Sequence, residues 1–192
     1  IEGLIKKMFN HVGVTLPDTF PHITYQESMD KYGNDHPDLR FGMEMVNVTH
    51  LLTEVNFKIF NSIVANKGLI KGINLKNQAA HMSKNMLQEE LAKKVIPSLG
   101  GKGMAWMKME EGKLNSNIVQ FFSEAEQTSL IQALDAENGD VLIFIADTDH
   151  HLVNDVLGRF RCLMAERMGL IDPTDRKSTR LNSSHQIISY AV

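Results

Sequence analysis

The sequence predicts an α+β fold in which helices cover a small mixed sheet. Three observations carry this. From about residue 43 the elements read strand, strand, helix, strand, short strand, helix, strand, helix, an order that favours helices layered on a sheet. Val141-Leu-Ile-Phe-Ile-Ala146 is a short continuous apolar run, as expected of a central strand covered on both faces. The longest helical pattern comes directly after it, with a buried stripe of Leu152, Val156, Phe160, Leu163 and Met164.

The chain opens on a helix, since Leu4, Ile5, Met8, Phe9 and Val12 fall at helical spacing and Gly13 is a stop. Pro17 and Pro21 bracket a loop. Thr24 followed three residues later by Glu27 reads as a capping box, in which a hydroxyl and a carboxylate satisfy free backbone donors, and Gly33 ends that short helix. Residues 34–42 have no period and read as an ordered connector. Alternation over Phe57–Ala65, a turn at Asn66-Lys67-Gly68 and alternation over Leu69–Leu75 predict a β-hairpin. Met82, Met86, Leu87, Leu91 and Val95 make a helical stripe closed by Pro97 and Gly100-Gly101. Met104–Met109 reads as a strand with Trp106 and Met107 on opposite faces, turned by Glu110–Lys113, and Ile118–Phe122 as a further short strand. Ser123 and Glu126 form a second capping box, and Asn138-Gly139 stops that helix. Asp149 caps the last helix and Gly169 ends it.

Composition narrows the function classes. The 192 residues carry 20 Lys+Arg and 23 Asp+Glu, a formal charge of −3, and 43% apolar residues, an ordinary globular balance. The charge is uneven: +1 over residues 1–96, −6 over 97–174 and +2 over 175–192. A protein gripping phosphate backbones would carry a basic surplus, so nucleic-acid contact here should be local and weak. No apolar run reaches the ~18 residues of a membrane helix, so no membrane partner is expected. The single Cys162 excludes an intrachain disulfide and fits a reducing, cytoplasmic compartment. Because Ile1 is not Met, the chain is expected to begin inside a longer protein.

Candidate chemistry is sparse. Asp147, Asp149, His150 and His151 are metal-binding residue types, but the two histidines sit ~100° apart at a helix start, and Asp149 serves as a cap. Leu99-Gly-Gly-Lys-Gly103 lacks the preceding strand and the Ser/Thr of a phosphate loop. Cys162 has no base supplied by the sequence and reads as a packed thiol. No catalytic, cofactor-binding or metal-binding residue is assigned.

One stretch is more specific. Thr24-Tyr25 and Tyr32-Gly-Asn-Asp-His-Pro-Asp-Leu-Arg40 resemble the segment of bacterial-type aspartyl-tRNA synthetases that leads out of the class II catalytic core. Lys102-Gly-Met-Ala-Trp-Met-Lys108, Gly139-Asp-Val-Leu-Ile-Phe-Ile-Ala-Asp147 and Leu157–Arg161 with Gly169-Leu-Ile-Asp172 resemble the GAD insertion domain of those enzymes. The departures are His36 in place of Lys, Phe41-Gly42 in place of Asn-Pro, and Asn77-Gln78 in place of a Gly pair.

The resemblance implies a parent enzyme that activates aspartate with ATP and Mg and transfers it to tRNA, a cytoplasmic homodimer. It places the signature motifs outside this chain, so the fragment alone is expected to be inactive. The expected division is 1–42 catalytic-core segment and connector, 43–160 GAD-like domain, 161–174 return toward the core, and 175–192 a non-native tail that resembles a translated sequencing adapter. The alternatives are the GAD module of a tRNA-dependent amidotransferase subunit, or a free-standing α+β binding module.

Overall fold

The structure, a computed structural model, describes residues 2–20, 22–172, 182–183 and 186–188. Its centre is a five-stranded sheet in the order β2-β3-β6-β4-β5: β2 Val46–Asn47, β3 Leu69–Leu75, β4 Ala105–Glu110, β5 Lys113–Asn115 and β6 Val141–Asp147. Every pair is antiparallel, so the mixed pairing expected from the sequence gives way to an antiparallel sheet in which β6 inserts between β3 and β4. The apolar run is central as expected. β6 pairs with β3 from Val141↔Leu75 to Asp147↔Leu69, and with β4 through Trp106↔Ile143.

Alternation along the strands sends side chains into two cores. On one face, Ile73, Leu75, Trp106, Ile143 and Ile145 meet the last helix, α6 His150–Arg167, through Val153, Val156, Leu157 and Phe160. The same core takes Leu87 and Leu91 from a π-helix over Met86–Val95, which runs into the short α4, Ile96–Ser98. On the other face, Ile70, Met107, Leu142 and Phe144 meet Phe60 of α3 (Lys58–Ala65) and Leu130 of α5 (Glu124–Ala133). Helices thus cover both faces, which is why β6 needs no polar side.

Two expected strands are helical. Lys58–Ala65 form α3, with Phe57 at its N-cap, and not the first arm of a hairpin, because Phe57, Phe60 and Ile63 or Val64 recur at three to four residues and only that spacing seats them together on one core. The turn at 66–68 is present, with Lys67 at φ 56° and Gly68 donating to the Ile63 carbonyl. Ile118–Phe122 is likewise no strand but contains a 3-10 turn over Val119–Phe121, and Phe122 is buried against Phe60.

The caps are mostly as read. Ser123 and Glu126 form a reciprocal box at α5. That helix stops at Ala133, five residues before Asn138, where Asp135 takes φ 47°. Asp149 accepts from the His151 and Leu152 N–H groups at α6. At α2, Tyr25–Tyr32, Thr24 accepts from the Glu27 N–H, but the Glu27 carboxylate pairs with Lys31 at 3.2 Å instead of completing the box.

The segment before the sheet packs unevenly. α1, Glu2–His11, buries none of its residues, and Leu4, Met8 and Val12 are exposed. α2 buries Ser28 and Tyr32. The tail expectation, residues 175–192, falls mostly outside the described residues. Its described stretches, β7 Asn182–Ser183 and β8 Gln186–Ile188, pair with each other and with β1, His22–Thr24, forming a second sheet apart from the five-stranded one. No helix among the described residues is long and apolar enough to cross a membrane.

Candidate functional site

Of the residues singled out by sequence, Asp147, Asp149 and His150 have structural partners, whereas the His151 side chain is exposed and only its N–H is used, in the Asp149 cap. Asp149 is a helix cap, the His150 imidazole Nε2 lies 2.9 Å from the Lys67 carbonyl, and Asp147 pairs with Lys102 at 2.7 Å. Among the described residues no group of three His, Cys, Asp or Glu side chains is placed to hold a metal ion. In the loop 99–103, the N–H groups of Gly100 and Gly101 donate to the Pro97 and Ile96 carbonyls, and Gly100 sits at φ 94°. These amides close a helix end, so they are not aimed outward as a phosphate cradle requires. Cys162 is half-buried, and burial raises its thiol pKa, the opposite of nucleophile activation.

What the fold does build is a junction between the connector and α6. The Arg161 side chain is fully buried, stacked between the rings of Tyr32 and Phe41 at 4.8 and 4.2 Å. Its Nε donates to the Met43 carbonyl at 3.0 Å. One terminal nitrogen donates to the carbonyls of Asp38, Phe41 and Gly42 at 2.7, 3.1 and 3.1 Å. Burial lowers its pKa from the ordinary arginine value, and its other terminal nitrogen, Nη1, is buried without a hydrogen-bond partner among the described residues. Beside it, Gly33 and Gly158 bring the end of α2 against α6. A Cβ on Gly158 would stand 2.5 Å from the Tyr32 carbonyl, and one on Gly33 2.1 Å from that of Asn154. Lys71 of β3, also buried and lowered in pKa by desolvation, donates to the Asp30 carbonyl at 2.6 Å. Two buried cations thus hold the backbone of residues 30–43 to the sheet and to α6. In the sequence, Lys71 lies within the alternating run Leu69–Leu75 and Arg161 closes the Leu157–Arg161 motif, with nothing local that marks either as a clamp. A lysine at a core-facing position of an apolar strand was the available signal.

A second feature is a cavity of about 350 Å³ between α3 and residues 102–105, floored by Phe57, Phe60, Ile63, Met104 and Phe144. Lys102, Asp147 and Thr148 also line it. The Asp147 carboxyl is lowered from its ordinary pKa, first because the Asp149 N–H donates to it, then because of Lys102. A shallower depression over Ala79–Ala80, Glu110–Glu111 and Asn138–Gly139 is broad and open.

An antiparallel sheet with helices on both faces, fastened to its own connector by buried cations, defines an α+β module. Residues 60–157 match the GAD domain family, and the chain belongs to that family. Over 171 residues it is 49% identical to the aspartate–tRNA(Asp/Asn) ligase 1 of Syntrophus aciditrophicus, covering 89% of this chain and 24% of that enzyme. It is 37% identical over 180 residues to the aspartate–tRNA(Asp/Asn) ligase of Natranaerobius thermophilus, covering 93% and 30%. With the Aquifex aeolicus ligase of the same description it shares 41% over 172 residues, covering 89% and 28%. The chain therefore spans between 24% and 30% of the length of these relatives.

Proposed function

We propose that this chain is the connector and GAD insertion module of an aspartate–tRNA ligase, an enzyme that activates aspartate with ATP and Mg and transfers it to tRNA in the cytoplasm, acting as a homodimer. The observation that carries this reading is the reach of the similarity. It extends over 171 residues of the chain, well past the 60–157 match to the module, and so takes in residues that a GAD module in another setting need not share. That reach favours the ligase over the amidotransferase subunit and over a free-standing binding module.

In this reading the piece supplies architecture. Catalysis of aspartate activation needs ATP, aspartate and charge-stabilising groups held together, and we assign none of that work to side chains of this chain. The connector 1–42, the module 43–160 and the return 161–174 are its natural divisions, with 175–192 foreign to the enzyme. The test is the genomic sequence on either side of the reading frame. Class II synthetase motifs in frame on both sides support the proposal. An amidotransferase sequence, or stop codons bounding a free module, overturns it.

A further inference from the structure

The two motifs that run into the module, Lys102-Gly-Met-Ala-Trp and Gly139-Asp-…-Ala-Asp147, meet in space through their end residues, the Lys102–Asp147 pair beside the 350 Å³ cavity. The pair is unequal. The Asp147 side chain is 5% exposed and that of Lys102 is 74% exposed. The Asp147 Oδ1 accepts from the Asp149 N–H at 3.0 Å and lies 3.4 Å from the Thr148 hydroxyl, whereas its Oδ2 is met by Lys102. A buried carboxylate is therefore completed by one long, solvated, movable cation. A well-placed ammonium of a ligand can take that place, because lysine left in water loses little. The floor beneath is apolar and aromatic, and a volume of 350 Å³ falls within the ~300–1,000 Å³ typical of small-ligand sites.

We propose that this cavity binds a free α-amino acid with an apolar or aromatic side chain. The ligand ammonium inserts against the Asp147 Oδ2, its carboxylate pairs with the displaced Lys102 Nζ, and its side chain covers Phe57, Phe60, Ile63 and Phe144. The charge pattern fixes the class. A zwitterion regenerates both halves of the pair it opens. An amine alone leaves only the solvated lysine unpaired, whereas an acid alone draws Lys102 away and leaves a buried carboxylate without its cation, the costlier loss. The site is distinct from the connector junction, and the inference does not depend on the ligase reading.

The probes are L-phenylalanine, L-phenylalanine amide and N-acetyl-L-phenylalanine, titrated into the ¹⁵N-labelled full chain. We expect saturable shifts at Gly103, Ala105, Ala146 and Thr148 with L-phenylalanine, a several-fold weaker response to the amide, and binding of the N-acetyl acid weaker by roughly tenfold or more. Lys102→Met, at an exposed side chain, should keep the fold and lose the preference for the acid over the amide. Asp147→Asn should lose the preference for a free ammonium. No saturation up to about 10 mM, equal binding of the N-acetyl acid, or a Lys102→Met chain that still discriminates acid from amide would each overturn the proposal.

Discussion

Asp140 shows how a single carboxylate can organise a loop. It is buried at the start of β6, where its oxygens accept from the backbone N–H groups of Asn77 and Glu137 and from the Asn74 amide at 2.8–2.9 Å, with Lys76 at 3.3 Å. Burial pushes its pKa up, but the donors of Glu137, Asn77, Asn74 and Lys76 outweigh that and hold it below the ordinary value. Asp38 is lowered mainly by Arg40, and Asp147 by Asp149 and Lys102. Each of these carboxyls gives up its proton more readily folded than unfolded. Their contribution is therefore complete above the unfolded value of ~3.9 and is lost as pH falls through the lower folded values. Asp140→Asn places an amide N–H against existing donors and should cost about 2–3 kcal/mol at neutral pH. It should also flatten the fall in stability between about pH 5 and pH 2, read from urea midpoints across that range. An unchanged acid limb would mean that Asp140 is not the coupled group.

At the scale of elements, the last helix and the connector behave as one piece. Gly158 lies inside α6, where alanine is ordinarily better by ~1 kcal/mol. Here its Cβ would meet the Tyr32 carbonyl at 2.5 Å and the Gly33 Cα at 3.1 Å. Gly158→Ala is therefore expected to destabilise, by about 1–3 kcal/mol, in equilibrium denaturation. A gain in stability would show that the contact yields easily. Arg161→Met should strip protection from amides of residues 38–43 in hydrogen exchange while leaving β3 and β6 protected, because four of the lost hydrogen bonds run to connector carbonyls. Equal loss in the central strands would indicate a core role instead.

These same elements show what the sequence could disclose. β6 was legible because the six consecutive apolar residues between Asp140 and Asp147 suit a strand covered on both sides, and the caps Thr24, Ser123 and Asp149 were legible because caps are local chemistry. α3 was not. Phe-Lys-Ile-Phe-Asn-Ser-Ile-Val-Ala fits a period of two nearly as well as one of 3.6, and only the aromatic cluster of Phe57, Phe60, Phe121 and Phe122 decides between them. The junction and the cavity were hidden for the same reason. Arg161 reaches residues about 120 positions away and Lys102 reaches Asp147 across the sheet, pairings set by topology and not by spacing.

For the whole molecule, stability should reside in the two cores around the five-stranded sheet. The described stretches after residue 175 pair only with β1 and each other. A chain ending at Thr174 should therefore melt at the temperature of the full chain, within error, by differential scanning calorimetry. A clear drop would make the tail a structural partner of the sheet. The architecture has two packed cores, a clamped connector and charged residues absorbed into caps and pairs, which suits a module that shapes a larger enzyme without performing its reaction. The most direct test of that claim is aspartate-dependent ATP–pyrophosphate exchange by the purified chain, freed of host synthetase. We expect exchange no higher than that of a blank preparation. Turnover above the blank, retained through successive purification steps, would contradict the claim and require an aspartate-activating site within these residues.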